Sequence, residues 1–137
     1  MKIIGDWLTY PETQALCLAL ETSGHRALFV GGCVRNALLG VPVGDTDLAT
    51  DALPKTVSNI AENAGFKVIP TGIDHGTVTV VAGGRPHEVT TFRRDVETFG
   101  RHATVAFAMR VEEDAARRDF TMNALYADRT GRVIDPL

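Results

Sequence analysis

Between Phe29 and Thr50 the chain reads FVGGCVRNALLGVPVGDTDLAT. That order calls for a strand, a glycine turn, a short helix and a second strand in immediate succession. The apolar segment Ala27 to Val30 runs straight into Gly31-Gly32, and Val34 to Leu39 fits a short helix closed by Gly40. Asp45 and Asp47 then flank Thr46 at the head of a strand predicted over 45–50. Side chains at i and i+2 of a strand share a face, so the two carboxylates converge. Such convergence is costly unless a cation lies between them. Mg²⁺ suits the role, because it takes hard oxygen ligands from one or two carboxylates plus substrate phosphates. A glycine pair lets a triphosphate approach the backbone from the other side. Each feature has an ordinary reading when taken singly. D-x-D triplets occur in solvated turns, and a strand-to-helix turn in any α/β protein needs glycine. Standing together, they point to nucleotidyl transfer.

A chain of 137 residues is one domain by length, and its 45% hydrophobic content is ordinary for a globular fold. No apolar run approaches the roughly 18 residues needed to span a bilayer, and MKIIGDWLTYPETQ lacks the basic-then-apolar layout of a secretory signal. No membrane association is expected. Cys17 and Cys33 are too few and too far apart for a disulfide framework or a zinc site, which suggests a reducing cytoplasm. The net charge of −3 argues against gripping nucleic acid by charge alone. Eight of the fourteen Lys and Arg residues are arginines from Arg93 onward. Arginine suits bidentate phosphate contacts, yet the acids interleaved with them make a salt-bridged surface an equal explanation.

Along the chain, Pro11 opens a helical pattern that stops at Gly24, and Pro54 to Ala64 reads as a second amphipathic helix. Phe66 to Pro70 and Gly76 to Val81 read as strands. A turn at Gly83-Gly84-Arg85-Pro86 then returns the chain as His87 to Phe92, a hairpin. Arg93 to Thr104 is polar without a clear period and reads as a mobile loop. Val105 to Met109 follows as a strand, Glu112 to Ala127 as a helix and Arg132 to Ile134 as a last strand. The order predicts α/β moving towards α+β, with a mixed β-sheet flanked by helices. The stop just after an apparent strand suggests one domain of a longer protein.

Two metals need a third carboxylate. Glu88 is the candidate, sharing a face with Thr90 and Phe92 on the returning strand; an edge strand with Glu88 in solvent is the plain alternative. A second cluster is RRDFTMNA, residues 117–124. On a helix, Asp119 and Asn123 are four apart and adjacent on one face. Asn123 is then available to a sugar hydroxyl, and Arg117 or Arg118 to phosphate. Equally, Asp119 caps the helix and both arginines are solvated.

GGCVRNALLG…DTDLAT, HEVTTFRRD and RRDFTMNALYAD together resemble the catalytic head domain of the class II CCA-adding tRNA nucleotidyltransferases and the related bacterial poly(A) polymerases, from about Ala27 to Leu137. The resemblance implies a nucleotidyltransferase fold, distantly like the palm of DNA polymerase β. It implies that Gly31 and Gly32 hold the triphosphate with Arg35 near it. Asp45 and Asp47 become metal ligands and catalytic residues, with Glu88 as the third. Arg117, Arg118, Asp119 and Asn123 match the motif that organises the ribose and the active site, and 93–104 matches a flexible catalytic loop. Two Mg²⁺ ions, ATP and CTP as substrates and the tRNA 3′ end as acceptor are likewise implied; no protein partner is expected. The chain departs from the family at Asn36, where aspartate is usual, and at Val41, where arginine is frequent. Residues 1–137 correspond to the head alone, without the neck, body and tail domains that select the base and bind tRNA.

The implied reaction is attack of an RNA 3′-hydroxyl on the α-phosphate of CTP or ATP, releasing pyrophosphate. Poly(A) synthesis shares the same head motifs and is the alternative within the enzyme class. A nucleotide- or RNA-binding module without turnover is the alternative from outside it. A P-loop enzyme is disfavoured, because no G-x-x-x-x-G-K-[ST] occurs.

Overall fold

A seven-stranded mixed sheet organises the molecule, seen in a computed structural model that describes residues 1–70, 72–97, 103–118 and 124–136. Its strands are β1 (Leu28–Val30), β2 (Thr46–Thr50), β3 (Lys67–Ile69), β4 (Thr77–Ala82), β5 (Arg85–Thr91), β8 (Tyr126–Ala127) and β9 (Val133–Ile134). Across the sheet they run β3-β4-β5-β2-β1-β8-β9. Every neighbouring pair is antiparallel except β2 with β5, which is parallel and sets Asp47 beside Glu88. The helices are α1 (Asp6–Thr9), α2 (Pro11–Thr22), α3 (Gly32–Leu39), α4 (Pro54–Asn63) and α5 (Val111–Ala116). Pro11 and Pro54 each stand at a helix start, where a missing N–H costs nothing. Among the described residues no helix is long and apolar enough to cross a membrane.

Strand alternation assigns the two faces. On one, Leu16 and Leu20 of α2 and Val57 and Ala61 of α4 pack in a single core with Phe29, Leu48, Val78, Val80 and Val89. Buried His87 ties β5 to α2. Its Nδ1–H donates to the Arg85 carbonyl at 2.9 Å, which leaves Nε2 to accept the Thr13 hydroxyl at 2.7 Å. On the opposite face Leu28, Val30, Ala49 and Tyr126 pack with Phe92, Val111 and Ala115. That second core draws on β1, β2 and β8 but on no residue of β4 or β5. Among the described residues, Glu88 is exposed and Thr79 half-buried on that part of the sheet.

Two sequence expectations need correction. The stretch expected as a loop from Arg93 to Thr104 contains β6 (Arg93–Glu97), which pairs in antiparallel register with β7 (Ala103–Phe107). This two-stranded sheet is separate from the main one, and residues 98–102 between its strands lie outside the described residues. It is anchored at its base, where the Phe92 N–H donates to the Thr50 carbonyl and the Ala108 N–H to the Phe92 carbonyl, both at 2.7 Å. Of the helix expected over 112–127, the first part is α5, residues 119–123 lie outside the described residues, and at its end Tyr126 and Ala127 are strand residues paired with Val30 and Phe29. Sheet pairing and complete burial of the Tyr126 ring outweigh the helical propensity of the alanines around it.

Candidate active site

The backbone turn at Gly31 places everything else. With φ 78° and ψ −136°, Gly31 adopts a conformation that a side-chain-bearing residue enters only with strain. The bend turns β1 directly into α3, whose first bond runs from the Arg35 N–H to the Gly31 carbonyl at 3.0 Å. Gly32 has an ordinary helical backbone, and a Cβ there would lie 3.4 Å from Nη2 of Arg35. The Cys33 thiol is buried and donates to the Val30 carbonyl at 3.3 Å; burial pushes its pKa up. A Cβ on Gly31 would stand 4.0 Å from Oδ2 of Asp47, so the turn faces the aspartate strand with nothing of its own between them.

Strand β2 begins at Thr46, one residue later than the sequence reading had it, and Asp45 immediately precedes it. Asp45, Thr46, Asp47, Pro86 and Glu88 line one recess of about 180 Å³. The parallel register brings Glu88 level with Asp47, although 41 positions separate them in the chain. A wider groove of about 350 Å³, lined by Ile4, Trp7, Ala37 and Val41 to Val43 among others, contains no titratable side chain. The smaller recess is the one that gathers the three carboxylates.

Electrostatics in the recess are unbalanced. Burial, then Glu88, then Asp45 push the Asp47 carboxyl above its ordinary range, and Arg118 pulls it back in part. Among the described residues no three His, Cys, Asp or Glu side chains already stand as a coordinating cluster. The donor set is nonetheless the one a hard divalent cation takes: three carboxylates, with no histidine or thiolate lining the recess. Mutual repulsion that a cation would relieve makes the residues present fit such an ion.

The remaining sequence candidates fall in three places. Arg35 is exposed on α3, where its Nε donates to Oδ1 of Asn36 at 3.3 Å, while Nδ2 of Asn36 donates to the Pro42 carbonyl at 3.2 Å. An aspartate at that position has no proton to give Pro42 at neutral pH, so asparagine here does work that the more usual residue would not. Arg117 ends α5, and Arg118 beside it bonds through Nε and Nη2 to Oδ2 of Asp114 at 3.3 and 3.2 Å. Asp119 and Asn123 lie outside the described residues.

The sequence reading passed over Asp114 and Tyr126. Asp114 is only 2% exposed. Its Oδ1 accepts the Arg93 N–H at 2.9 Å, and its Oδ2 accepts the Tyr126 hydroxyl at 2.5 Å as well as Arg118. Standing in the run Glu112-Glu113-Asp114, it looks like the solvated first turn of a helix. The available signal was its i, i+4 spacing to Arg118.

The chain is similar to several known proteins. The CCA-adding enzyme of Bacillus cytotoxicus is 46% identical over 128 residues, which cover 92% of this chain and 31% of that protein. The crystal structure of the Bacillus stearothermophilus CCA-adding enzyme in complex with CTP is 46% identical and superposes with a TM-score of 0.79, covering 93% of this chain and 30% of that one. A tRNA nucleotidyltransferase complexed with a primer tRNA and an incoming ATP analog is 31% identical, with a TM-score of 0.66 over 88% of this chain and 34% of that one. The chain thus has the nucleotidyltransferase fold and spans about a third of the length of these relatives. A model of the poly A polymerase head domain matches residues 27–137, and the chain belongs to that family.

Proposed function

We propose that the chain is the catalytic head of a tRNA nucleotidyltransferase that adds C and A to the tRNA 3′ end from CTP and ATP. The observation that carries this reading is the convergence of Asp45, Asp47 and Glu88 in one recess that faces the Gly31 turn. Relatives named as CCA-adding enzymes favour CCA addition over poly(A) synthesis. With residues 1–137 as the head, base choice and tRNA docking belong to segments beyond them, as the chain's share of its relatives suggests. A cytoplasmic setting fits both the tRNA substrate and the two free cysteines, Cys17 and Cys33.

In the proposed mechanism Asp45, Asp47 and Glu88 hold the divalent cations, two Mg²⁺ being the expectation from the family. Bound there, the ions would supply Lewis acidity to the attacking 3′-hydroxyl and to the departing pyrophosphate. Gly31 and Gly32 leave room for the triphosphate to lie against backbone, and the N-terminus of α3 favours its negative charge. Arg35, Arg117 and Arg118 offer guanidinium groups to the phosphates. Asp119 and Asn123 are assigned to the ribose and to site organisation on the family motif alone. Among the described residues no histidine lines the recess, and the reading assigns no proton transfer to a protein side chain.

Calorimetric titration with ATP, CTP and GTP, with and without Mg²⁺, tests this reading against an Asp45→Asn/Asp47→Asn double variant. The expected result is metal-dependent triphosphate binding that the double variant loses, with little preference among bases. Equal binding by a folded double variant would refute the assignment.

A further inference from the structure

Arg118 follows the end of α5, where helical hydrogen bonding no longer restrains the chain, yet its side chain is only 21% exposed. Three contacts fix it. Oδ2 of buried Asp114 takes both Nε and Nη2, the side-on edge of the guanidinium. The Tyr126 ring lies with its centroid 5.7 Å from the guanidinium carbon. The Tyr126 hydroxyl donates to the same Oδ2, so the carboxylate is itself held from behind. Tyr126 pairs with Val30, and one step on from the Phe29–Leu48 pair the register sets Val30 level with Asp47 and Asp47 beside Glu88, so the Tyr126 ring and the two carboxylates share one face of the sheet. The guanidinium over that ring thus lies on the face of the sheet that carries Asp47 and Glu88, with Nη1 on the edge that does not bond Asp114.

We propose that Asp114 and Tyr126 are positioning residues that hold the Arg118 guanidinium at the carboxylate recess, where it receives a phosphate of the nucleoside triphosphate. The inference rests on the proposed function and adds two residues to it. A merely structural role and a positioning role differ in sign. By charge alone, Asp114→Asn removes a negative group near a bound polyanion and tightens its binding. As a positioning residue, its loss releases Arg118 and weakens binding, because an ordered charge-assisted contact becomes a floppy one.

The test measures the affinity of the 137-residue chain for CTP with Mg²⁺, beside inorganic tripolyphosphate, in four variants: Asp114→Asn, Tyr126→Phe, Arg118→Ala and Tyr126→Phe/Arg118→Ala. Asp114→Asn and Tyr126→Phe are each expected to weaken both ligands by about five- to tenfold. The Tyr126→Phe loss should vanish once Arg118 is alanine. Should Asp114→Asn fail to fold, Tyr126→Phe, which removes one hydroxyl and no charge, carries the test. Unchanged or tighter binding by the folded variants, or the same Tyr126→Phe loss with and without Arg118, overturns the positioning role. Wild-type chain that binds neither ligand overturns the functional reading and this inference together.

Discussion

Gly31→Ala and Gly32→Ala separate two glycines that look alike in sequence and differ in backbone. Alanine at 31 has no steric obstacle, since its Cβ would meet only Oδ2 of Asp47 at 4.0 Å. Its difficulty is the conformation itself, φ 78° and ψ −136°, which costs a side-chain-bearing residue about 1–3 kcal/mol. Loss of unfolded-state freedom returns about 0.4–1 kcal/mol. The net destabilisation is therefore about 1–2 kcal/mol, which for a domain of this size lowers the melting temperature by roughly 3–10 °C. Gly32 opens α3, where alanine is the better helix former by up to about 1 kcal/mol. Its Cβ would meet the mobile end of Arg35 at 3.4 Å. Gly32→Ala should match or slightly exceed wild type in stability, its effect confined to Arg35. Thermal melts followed by circular dichroism decide the matter. A Gly31→Ala chain that melts with wild type, or above Gly32→Ala, would show that the turn is not conformationally strained.

Asp47→Asn should raise the melting temperature at pH 7 without divalent cation, because burial and the neighbouring Glu88 and Asp45 hold that carboxyl above its ordinary range. A group whose folded pKa is raised weakens the fold once it is ionised, so neutral asparagine relieves the penalty; a lower melting temperature would contradict this. Asp128 behaves oppositely. Burial pushes its pKa up, but the Thr130 hydroxyl and the Arg132 and Thr130 amides outweigh burial and hold it below the ordinary value. Its stabilisation is present above the ordinary aspartate pKa of about 3.9 and fades as pH falls through the lower folded value. Asp128→Ala should cost about 1–2 kcal/mol at pH 7, and the gap in melting temperature from wild type should close below about pH 4. A gap independent of pH would mean that the hairpin turn does not depend on that charge.

Much of the site was legible because it follows from local rules. A strand running into two glycines and a D-x-D at a strand start are patterns of spacing, and Asp45, just ahead of β2, and Asp47 within it line one recess. Glu88 was ambiguous on spacing, since its partner strand is fixed by the parallel pairing of distant segments. A strand was expected over 105–109, overlapping β7, whereas β6 fell in the stretch expected as a loop because its polar sequence has no clear period. Asp114 was passed over for a related reason. Its burial depends on Tyr126, whose place in the sheet depends in turn on pairing with β1, and none of this leaves a periodic mark.

The lone parallel pair has a consequence for how the chain folds. β2 and β5 are joined through α4, β3 and β4, so Glu88 comes level with Asp47 only after the intervening hairpin has closed onto the sheet. Such non-local pairing forms late and slowly relative to local contacts. A partly folded chain, even one with α2, α3 and the β4–β5 hairpin in place, holds at most two of the three carboxylates together. Any ligand that needs all three binds the native topology alone and stabilises it by mass action. The rise in melting temperature on adding such a ligand would then report completion of the sheet, making the acidic recess a built-in gauge of correct folding.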